Sequence, residues 1–341
     1  MIDRMQTIPV LVTLRFTDDQ LATLRSLSPR VQVEQRVVTR DAQLADVLDP
    51  SIVVLYAGGA DFPLAATPHL RWIQLHNAGV EHVYATEAWR SDIPITSMTG
   101  IHAVPIAEYT IGLMLAWAHH VPRMLAYQAR AEWATNRWAN FVPRELRGMT
   151  LGLVGYGAIG REVARLGQAM GMRVLATKRV TSDPQYHGWR LKGTGDPNGT
   201  IPARYYPPDA ISDMLVLSDY VVVSTPLTPE TSHLIGREEI ASMRPDAFLV
   251  NVARGGVIDQ DALIEALRAG RLGGAGLDVF EPEPLPADSP LWGMDNVIIS
   301  PHISGFTPRY DDWAADVFAH NLRRFLDNDP LLNLVDRKRG Y

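Results

Sequence analysis

The sequence contains no cysteine among its 341 residues. This absence excludes disulfides, thiolate zinc sites and a cysteine nucleophile together. The sequence also has no block of like charges, and its net charge is −6. General binding to nucleic acid or to an anionic membrane is therefore not expected.

Long apolar runs are missing as well. The first residues, "MIDRMQTIPVLVTLRF", lack the apolar core and small-residue cleavage site of a signal peptide. The most apolar stretch, "YTIGLMLAWA" at 109–118, is too short to span a bilayer. We therefore expect a cytoplasmic protein with no membrane partner. A hydrophobic content of 46% and a charged content of 21% are typical of globular proteins, and a chain of this length predicts two domains.

Two series of alternating strands and helices predict an α/β fold with parallel sheets. The first series has the strands "TIPVLVTL", "VQVEQRVV", "SIVVLYAG", "LRWIQLH" and "IPITSM", with the helices "DDQLATLRSL" and "DAQLADVL". The second has the strands "TLGLVG", "MRVLATK", "YVVVST", "AFLVNVA", "GAGLDVF" and "NVIIS". Residues 181–208 are rich in proline and glycine and have no clear period, so we interpret them as an inserted loop.

The stretch "GLVGYGAIGREVA" contains a G-x-G-x-x-G motif between a predicted strand and a predicted helix. In a dinucleotide site, Gly155 would permit the tight turn, Gly157 would let backbone approach a pyrophosphate, and Gly160 would let helix and strand pack closely. Ala158 and Ile159 lie between the last two glycines, at the predicted start of the helix. The alternative is a glycine turn with a structural role only. The context favours dinucleotide binding.

Three strands of the second series are each followed by one polar residue: Arg254, Glu283 and His302. Ligands of such folds bind outside the carboxyl ends of the strands. Reduction of a carbonyl next to a carboxylate needs a proton donor such as His302, a carboxylate such as Glu283 to orient it, and a planar cation such as Arg254 to hold the substrate. We expect Gly255 and Gly256 to leave room beside the arginine. Taken alone, each of the three could be an ordinary surface residue.

The predicted second strand of the dinucleotide-binding domain ends in "ATKR". An acidic residue there would bind the adenosine ribose of NAD. Lys178 stands at that position and Arg179 follows it, which favours the 2′-phosphate of NADP(H), with NAD(H) use possible. The alternatives are that both cations are solvated, or that the adjoining insertion reshapes this edge.

The chain resembles the D-isomer-specific 2-hydroxyacid dehydrogenases, in particular their glyoxylate/hydroxypyruvate reductase type. The resemblance rests on "GLVGYGAIGREVA", "PLTPETSHLI", "NVARGGVIDQDALIEAL", "GGAGLDVFEPEPLP" and "NVIISPHISG". It implies Arg254, Glu283 and His302 as the catalytic residues and Asp278 near the nicotinamide carboxamide. Further positions implied beside the cofactor are Thr225, Pro226, Val252 and Ala253. Residues implied to bind the substrate carboxylate through backbone N–H groups are Asn77, Ala78, Gly79 and Val80. Independently, Gly79 could allow those groups to form an anion nest, although a plain turn is the alternative.

The resemblance also implies two flavodoxin-like or Rossmann-like lobes with the active site in the cleft between them. The substrate lobe would comprise residues 1–100 and 306–341, and the dinucleotide-binding lobe 101–305. A homodimer is implied, with the apolar helix near 106–120 and the following segment in its interface. The function expected is reduction of a glyoxylate-like 2-oxoacid to the D-2-hydroxyacid. The alternatives are a dinucleotide-sensing co-regulator, or a dehydrogenase for phosphoglycerate, formate or phosphite.

Several aromatic and imidazole side chains lie outside these motifs. His102 is a candidate for lining the pocket, although an exposed or structural histidine is the alternative. His119 and His120 are adjacent on a predicted helix, so they point in different directions and form no metal pair. We expect Trp133 and Trp138 to pack in an interface or in the core, with a partner subunit's pocket as a further possibility.

Overall fold

The computed structural model describes residues 7–38 and 44–341, which form two compact units. Unit 1 contains the described residues up to Ile101, together with His187–Leu191 and Thr307–Tyr341. Unit 2 contains His102–Tyr186 and Lys192–Phe306. Residues 41–43 of the predicted helix "DAQLADVL" and the first six residues of the N-terminal stretch lie outside the described residues.

Unit 1 is built on a parallel sheet whose described strands have the order β2-β1-β3-β4-β5. The strands are β1 (Ile8–Val12), β2 (Val31–Gln35), β3 (Val54–Ala57), β4 (Trp72–Leu75) and β5 (Ile95–Thr96). The helices are α1 (Asp18–Ser26), α2 (Leu44–Val47), α3 (Glu87–Arg90) and the long C-terminal helix α11 (Tyr310–Asp327). Every residue of β3 and β4 is buried, as expected of central parallel strands covered on both faces.

Unit 2 is built on a larger parallel sheet whose described strands have the order β12-β11-β10-β9-β6-β7-β8. The strands are β6 (Thr150–Val154), β7 (Arg173–Thr177), β8 (Arg204–Tyr206), β9 (Tyr220–Val223), β10 (Phe248–Asn251), β11 (Gly274–Leu277) and β12 (Val297–Ile299). The strand order changes direction between β6 and β9, because β7 and β8 lie on one side and the later strands on the other. Such a switch point is where ligands of open α/β sheets bind.

The described helices of unit 2 are α4 (Ala103–Ala118), α5 (Val121–Ala129), α6 (Arg137–Asn140), α7 (Ala158–Ala169), α8 (Ile211–Leu215), α9 (Arg237–Ser242) and α10 (Gln260–Arg268). Five of these described helices have buried residues, namely α4, α7, α8, α9 and α10, whereas α5 and α6 have none. The α/β class and the parallel sheets predicted from the sequence are thereby confirmed. No helix of the described part of the chain is long and apolar enough to cross a membrane.

The structure corrects the interpretation of residues 181–208 as a loop. Arg204–Tyr206 forms β8 and pairs in parallel with β7. Trp189 belongs to unit 1, where its backbone N–H donates to Asn333 Oδ1 at 3.0 Å and its indole N–H to Asp316 Oδ2 at 3.3 Å. The sequence could not show this because a strand of three residues has no readable period and the partners of Trp189 are more than a hundred residues away.

Two further expectations concerned the segment after α4. Helix α4 ends at Ala118, and His120 has a left-handed backbone with φ of 56° at the start of α5. His119 and His120 therefore lie at a junction between two helices, and the prediction that they are adjacent on one helix is wrong. Trp133 and Trp138 are 82% and 79% exposed, which excludes core packing for them within this chain.

Candidate active site

The loops after β11 and β12 bring Glu283 and His302 into contact. His302 Nδ1 lies 2.9 Å from Glu283 Oε2. The other carboxylate oxygen, Oε1, accepts a hydrogen bond of 2.9 Å from the backbone N–H of Phe280, which fixes the carboxylate in turn. Because Nδ1 is engaged by the carboxylate, a proton exchanged with a substrate must be carried by Nε2. The two side chains are 48% and 36% exposed, so solutes can reach them.

Asp278 holds the loop that carries His302. The Asp278 side chain is fully buried and accepts hydrogen bonds from the Ser300 hydroxyl at 2.6 Å and from the N–H groups of Ile303 and Ser304, each at 2.9 Å. Its carbonyl accepts the N–H of His302, also at 2.9 Å. Both carboxylate oxygens are thus engaged within the protein. Its implied place near the nicotinamide carboxamide stays a prediction.

His302 itself has a left-handed backbone conformation, with φ of 54°. Residues other than glycine rarely adopt it, and they cluster at functional sites where the surroundings hold them in place. The bonds that Asp278 makes on both sides of His302 are what hold it. The strained backbone and the paired imidazole point to the same side chain as the reactive one.

Arg254 follows β10 and is braced by the last residue of that strand. The Asn251 amide accepts from the N–H of Ala253 and donates to the carbonyl of Arg254, both at 3.1 Å. The half-buried Arg254 guanidinium donates to the Ala253 carbonyl through Nη1 at 2.9 Å. Val252 and Ala253 are themselves buried, at 4% and 7% exposure. The segment 251–254 is therefore well fixed at the carboxyl edge of the sheet.

The two glycines after Arg254 do not leave room beside it, so that prediction is wrong. A Cβ atom on Gly255 would lie 2.0 Å from the carbonyl of Phe280, and one on Gly256 would lie 2.9 Å from Glu281 Oε2. The glycines instead let this segment pack directly against the backbone that leads to Glu283. The loops of Arg254 and Glu283 are thus in van der Waals contact.

The glycine loop after β6 has the geometry that its motif predicts. Gly155 has a φ of +98°, which the tight turn needs. A Cβ on Gly160 would lie 2.3 Å from the carbonyl oxygen of Gly155, so only glycine lets α7 start so close to the turn. No described atom lies within 4 Å of the Cβ position of Gly157. The start of α7, with Ala158 and Ile159 in its first turn, is open at this point.

These residues fit a dinucleotide. The Oγ1 atom of Thr225 is buried and has no hydrogen-bond partner in the part of the chain that the structure describes. It belongs to the loop after β9, and its methyl group would lie 2.8 Å from a Cβ on Gly155. Pro226, the next residue, is exposed. An unsatisfied buried hydroxyl beside an open helix N-terminus is what a phosphate-containing ligand would complete.

The edge after β7 carries two cations. Lys178 follows the strand directly, and its Nζ lies 3.5 Å from the Gln185 carbonyl. Burial and the nearby charge of Arg161 lower the pKa of Lys178, against the opposing charge of Asp183. Arg179 is exposed. A hydrogen bond with Thr228 lowers the pKa of Glu230, and the positive charge of Arg179 contributes to the same shift. The loop after β9, in which Glu230 lies, thus approaches Arg179.

In unit 1, the loop 77–80 follows β4. The carbonyl of Asn77 accepts from the N–H of Met98 at 3.0 Å, and its amide donates to Gly58 O at 3.4 Å. Within residues 7–38 and 44–341, no acceptor is present for the N–H groups of Ala78, Gly79 and Val80. These N–H groups are available as hydrogen-bond donors, and the anion nest stays a prediction.

A comparison with models of protein families identifies the family to which these loops belong. Residues 111–304 match the model of the D-isomer specific 2-hydroxyacid dehydrogenase NAD-binding domain. This chain belongs to that family. The match covers α7, the glycine loop and the segments of Arg254, Glu283 and His302, which are the parts of unit 2 described above.

Individual relatives are similar to this chain over almost its whole length. A glyoxylate reductase of Thermococcus gammatolerans is 32% identical over 96% of each chain. A D-3-phosphoglycerate dehydrogenase of Methanocaldococcus jannaschii is also 32% identical, over 96% of this chain but only 59% of its own length. A D-isomer specific 2-hydroxyacid dehydrogenase of Xanthobacter autotrophicus, solved in complex with NADPH and MES, has a TM-score of 0.78 and 29% identity, covering 98% of this chain and all of the other. This chain is accordingly an NAD(P)-dependent dehydrogenase of 2-hydroxyacids.

Two residues near the His302 loop have no assigned role. A Cβ on Gly305 would lie 3.1 Å from the ring of His102, so this histidine packs under the loop, and its part in a pocket stays a prediction. Tyr109 on α4 bonds the Ser300 hydroxyl, and burial raises its pKa. No motif in the sequence selects Tyr109, because its contact with Ser300 forms only when α4 packs in the folded protein.

Proposed function

We propose that this dehydrogenase reduces a small 2-oxoacid of the glyoxylate or hydroxypyruvate type to the D-2-hydroxyacid, preferring NADPH. The observation that carries the proposal is the 2.9 Å contact of His302 with Glu283, on a loop fixed by Asp278. This pair is a positioned proton donor of the kind that carbonyl reduction needs.

In the proposed mechanism the nicotinamide, when bound, supplies the hydride. His302 gives its Nε2 proton to the carbonyl oxygen, and Glu283 stabilises the imidazolium through Nδ1 before transfer and keeps the ring oriented afterwards. Arg254 holds the substrate carboxylate and polarises the ketone through its planar fork. The N–H groups of residues 77–80 bind the same carboxylate. In the oxidative direction a neutral His302 takes the proton back.

The preference for NADPH rests on the cations at the end of β7. Neither Lys178 nor Arg179 could accept a hydrogen bond from a ribose hydroxyl, whereas both could bind a 2′-phosphate. One Arg–phosphate contact contributes roughly 1.5–3 kcal/mol, so NADPH would be favoured by about ten- to a hundredfold. Gly155, Gly157, Gly160 and the Thr225 hydroxyl would hold the pyrophosphate region common to both cofactors.

A phosphoglycerate-type substrate is the second candidate, because the Methanocaldococcus jannaschii relative has that name. That relative is longer than this chain. The two candidates differ in the charge of the substrate, since a phosphorylated acid would need cations beyond Arg254.

Measurement of NADPH and NADH oxidation with glyoxylate, hydroxypyruvate and phosphohydroxypyruvate tests these assignments together. We expect kcat/KM to be highest for one of the two unphosphorylated acids with NADPH. Arg179→Ala should remove most of the preference for NADPH and leave NADH kinetics unchanged. Equal or better use of NADH by the wild type, or full preference in the variant, would contradict the cofactor assignment.

We also propose a homodimer. The segment 121–142 after α4 exposes the apolar side chains Met124, Leu125, Trp133, Trp138 and Val142. Several exposed apolar side chains in one segment are typical of an interaction surface, and a second copy of the chain would cover it symmetrically. Light scattering should give twice the mass of the chain, and Trp138→Glu should shift the protein toward monomer.

A cytoplasmic location stays a prediction.

A further inference from the structure

His76 connects the loop 77–80 to the buried core of unit 1. It follows β4 directly and precedes Asn77, the first residue of the loop. Its N–H donates to the Ala57 carbonyl at 2.9 Å, and its own carbonyl accepts from the Tyr310 hydroxyl at 2.6 Å. The backbone that leads into the loop is therefore held from β3 on one side and from α11 on the other.

The His76 ring is held as firmly as its backbone. Nδ1 lies 2.6 Å from the hydroxyl of Tyr56, a fully buried residue of β3. The ring also packs against Tyr310, with a centroid distance of 4.8 Å. Nε2 faces Asp311 Oδ1 at 3.9 Å. The titratable groups around the imidazole are thus Tyr56 from β3 and Tyr310 and Asp311 from α11.

The protonation states of Tyr56 and His76 indicate that the tyrosine hydroxyl donates and the imidazole accepts. Burial raises the pKa of Tyr56 well above its ordinary value, so the hydroxyl keeps its proton. Burial lowers the pKa of His76, against the opposing charge of Asp311. A neutral imidazole can therefore accept at Nδ1 from the Tyr56 hydroxyl and carry its own proton on Nε2, toward Asp311.

Tyr56 gives this bond a rigid base. Its ring lies between those of Phe16 and Phe318, at centroid distances of 4.8 and 4.9 Å. A buried hydroxyl needs a partner, and Nδ1 of His76 is the one the structure gives it. Loss of the bond would leave the hydroxyl unsatisfied and free the imidazole to rotate, which would remove one of the contacts that hold the start of the loop.

We propose that His76 is a positioning residue for the substrate-carboxylate loop 77–80, and that it acts through its Nδ1 hydrogen bond to Tyr56. The inference rests on the proposed function, because it takes this loop to bind the oxoacid carboxylate. His76 does not touch the substrate. It sets the direction of the N–H groups of Ala78, Gly79 and Val80, so its loss should weaken oxoacid binding without changing the cofactor site or the proton donor.

The test compares His76→Leu with His76→Asn. Asparagine places Oδ1 near the position of Nδ1 and can still accept from Tyr56, whereas leucine fills the space without an acceptor. We expect His76→Leu to raise the KM for glyoxylate by roughly tenfold. The KM for NADPH should stay within about twofold and kcat within about threefold of wild type. His76→Asn should restore the glyoxylate KM to within about threefold. His69→Leu, at an exposed histidine of the same unit, is the matched control.

A role in stability alone would lower the thermal midpoint and the active fraction, and would leave the glyoxylate KM unchanged. Unchanged KM in a folded His76→Leu variant overturns the inference, as does a KM that asparagine fails to restore. If the leucine variant does not fold, Tyr56→Phe removes only the hydroxyl and must raise the same KM. A wild type that reduces no 2-oxoacid would instead refute the proposed function, and the inference with it.

Discussion

Two loops of this dehydrogenase lie at the carboxyl ends of parallel strands and are assigned to anionic groups, yet they are built in opposite ways. The glycine loop after β6 is shaped by missing side chains, because a Cβ on Gly160 would meet the Gly155 carbonyl at 2.3 Å. The loop 77–80 after β4 is shaped by side chains that hold its start, namely those of His76, Asn77 and Tyr310.

This difference determines whether each loop can be recognised from the sequence. The contacts of the glycine loop are local, so three glycines between a strand and a helix are sufficient to recognise it. The contacts that fix His76 come from Tyr56 and Tyr310, which are 20 and 234 positions away in the chain. Backbone-built sites are therefore visible as motifs, whereas side-chain-built sites become visible only in the folded protein.

The largest expected effect lies in unit 2, at His302, the proposed proton donor, which hydrogen bonds of Glu283 and Asp278 hold in place. His302→Ala should lower kcat by about 10²–10⁴, the usual contribution of a positioned acid–base group. The measurement is steady-state reduction of glyoxylate at saturating NADPH. The control is His320→Ala, at an exposed histidine that also contacts a carboxylate. Turnover near that of wild type would remove His302 from the mechanism.

The backbone-built loop can be tested by two substitutions of equal size. Gly160→Ala places a methyl group against a backbone carbonyl, so we expect a loss of about 3 kcal/mol in the free energy of unfolding of the apo protein. Gly157→Ala meets no described atom within 4 Å, so it should leave apo stability unchanged but raise the KM for NADPH. Equal destabilisation by both changes in urea unfolding would contradict this account of the loop.

The sequence alone was sufficient for most of the fold and for the features that depend on local order. The strands of both sheets follow from short β-branched runs. The contact between Glu283 and His302 follows from the rule that neighbouring parallel strands end at the same edge. The parallel strand β8 was missed because three residues carry no period. The packing of Gly255 and Gly256 against residues 280–281 was also missed, because a glycine does not show in sequence whether the space beside it is empty or filled.

Asp278 gives unit 2 one feature that the sequence did not show, a side chain that organises a whole loop. Asp278→Asn replaces one acceptor oxygen with a donor that faces an N–H group. We expect a loss of about 2 kcal/mol in the free energy of unfolding and a lower kcat, since the loop of His302 would lose its support. Thermal unfolding and turnover measure the two effects. An unchanged kcat would mean that the loop of His302 needs no such support, and that it is not built by side chains in the way proposed for the loop 77–80.

The proton donor also predicts opposite pH profiles for the two directions of the reaction. Reduction consumes the proton of His302, so its rate should fall toward high pH. Oxidation needs the neutral imidazole and should lose rate toward low pH. Profiles of kcat/KM in both directions provide the measurement. Parallel profiles, with hydride transfer rate-limiting, would argue against His302 as the donor.

The smallest expected effect concerns the hydrogen bond by which α11 contacts the start of the loop 77–80. Tyr310→Phe removes the 2.6 Å hydrogen bond to the His76 carbonyl and keeps the ring that packs on the imidazole. The glyoxylate KM should rise by about two- to fivefold, because one of several bonds that position the loop is lost.

The matched control is Tyr84→Phe, which removes a 2.8 Å hydrogen bond from the tyrosine hydroxyl to the carbonyl of Gly340 in the same unit. An equal change of KM in the two variants would show that the effect spreads through unit 1 as a whole. The loop 77–80 would then depend on the stability of unit 1 and not on the particular side chains that meet at His76.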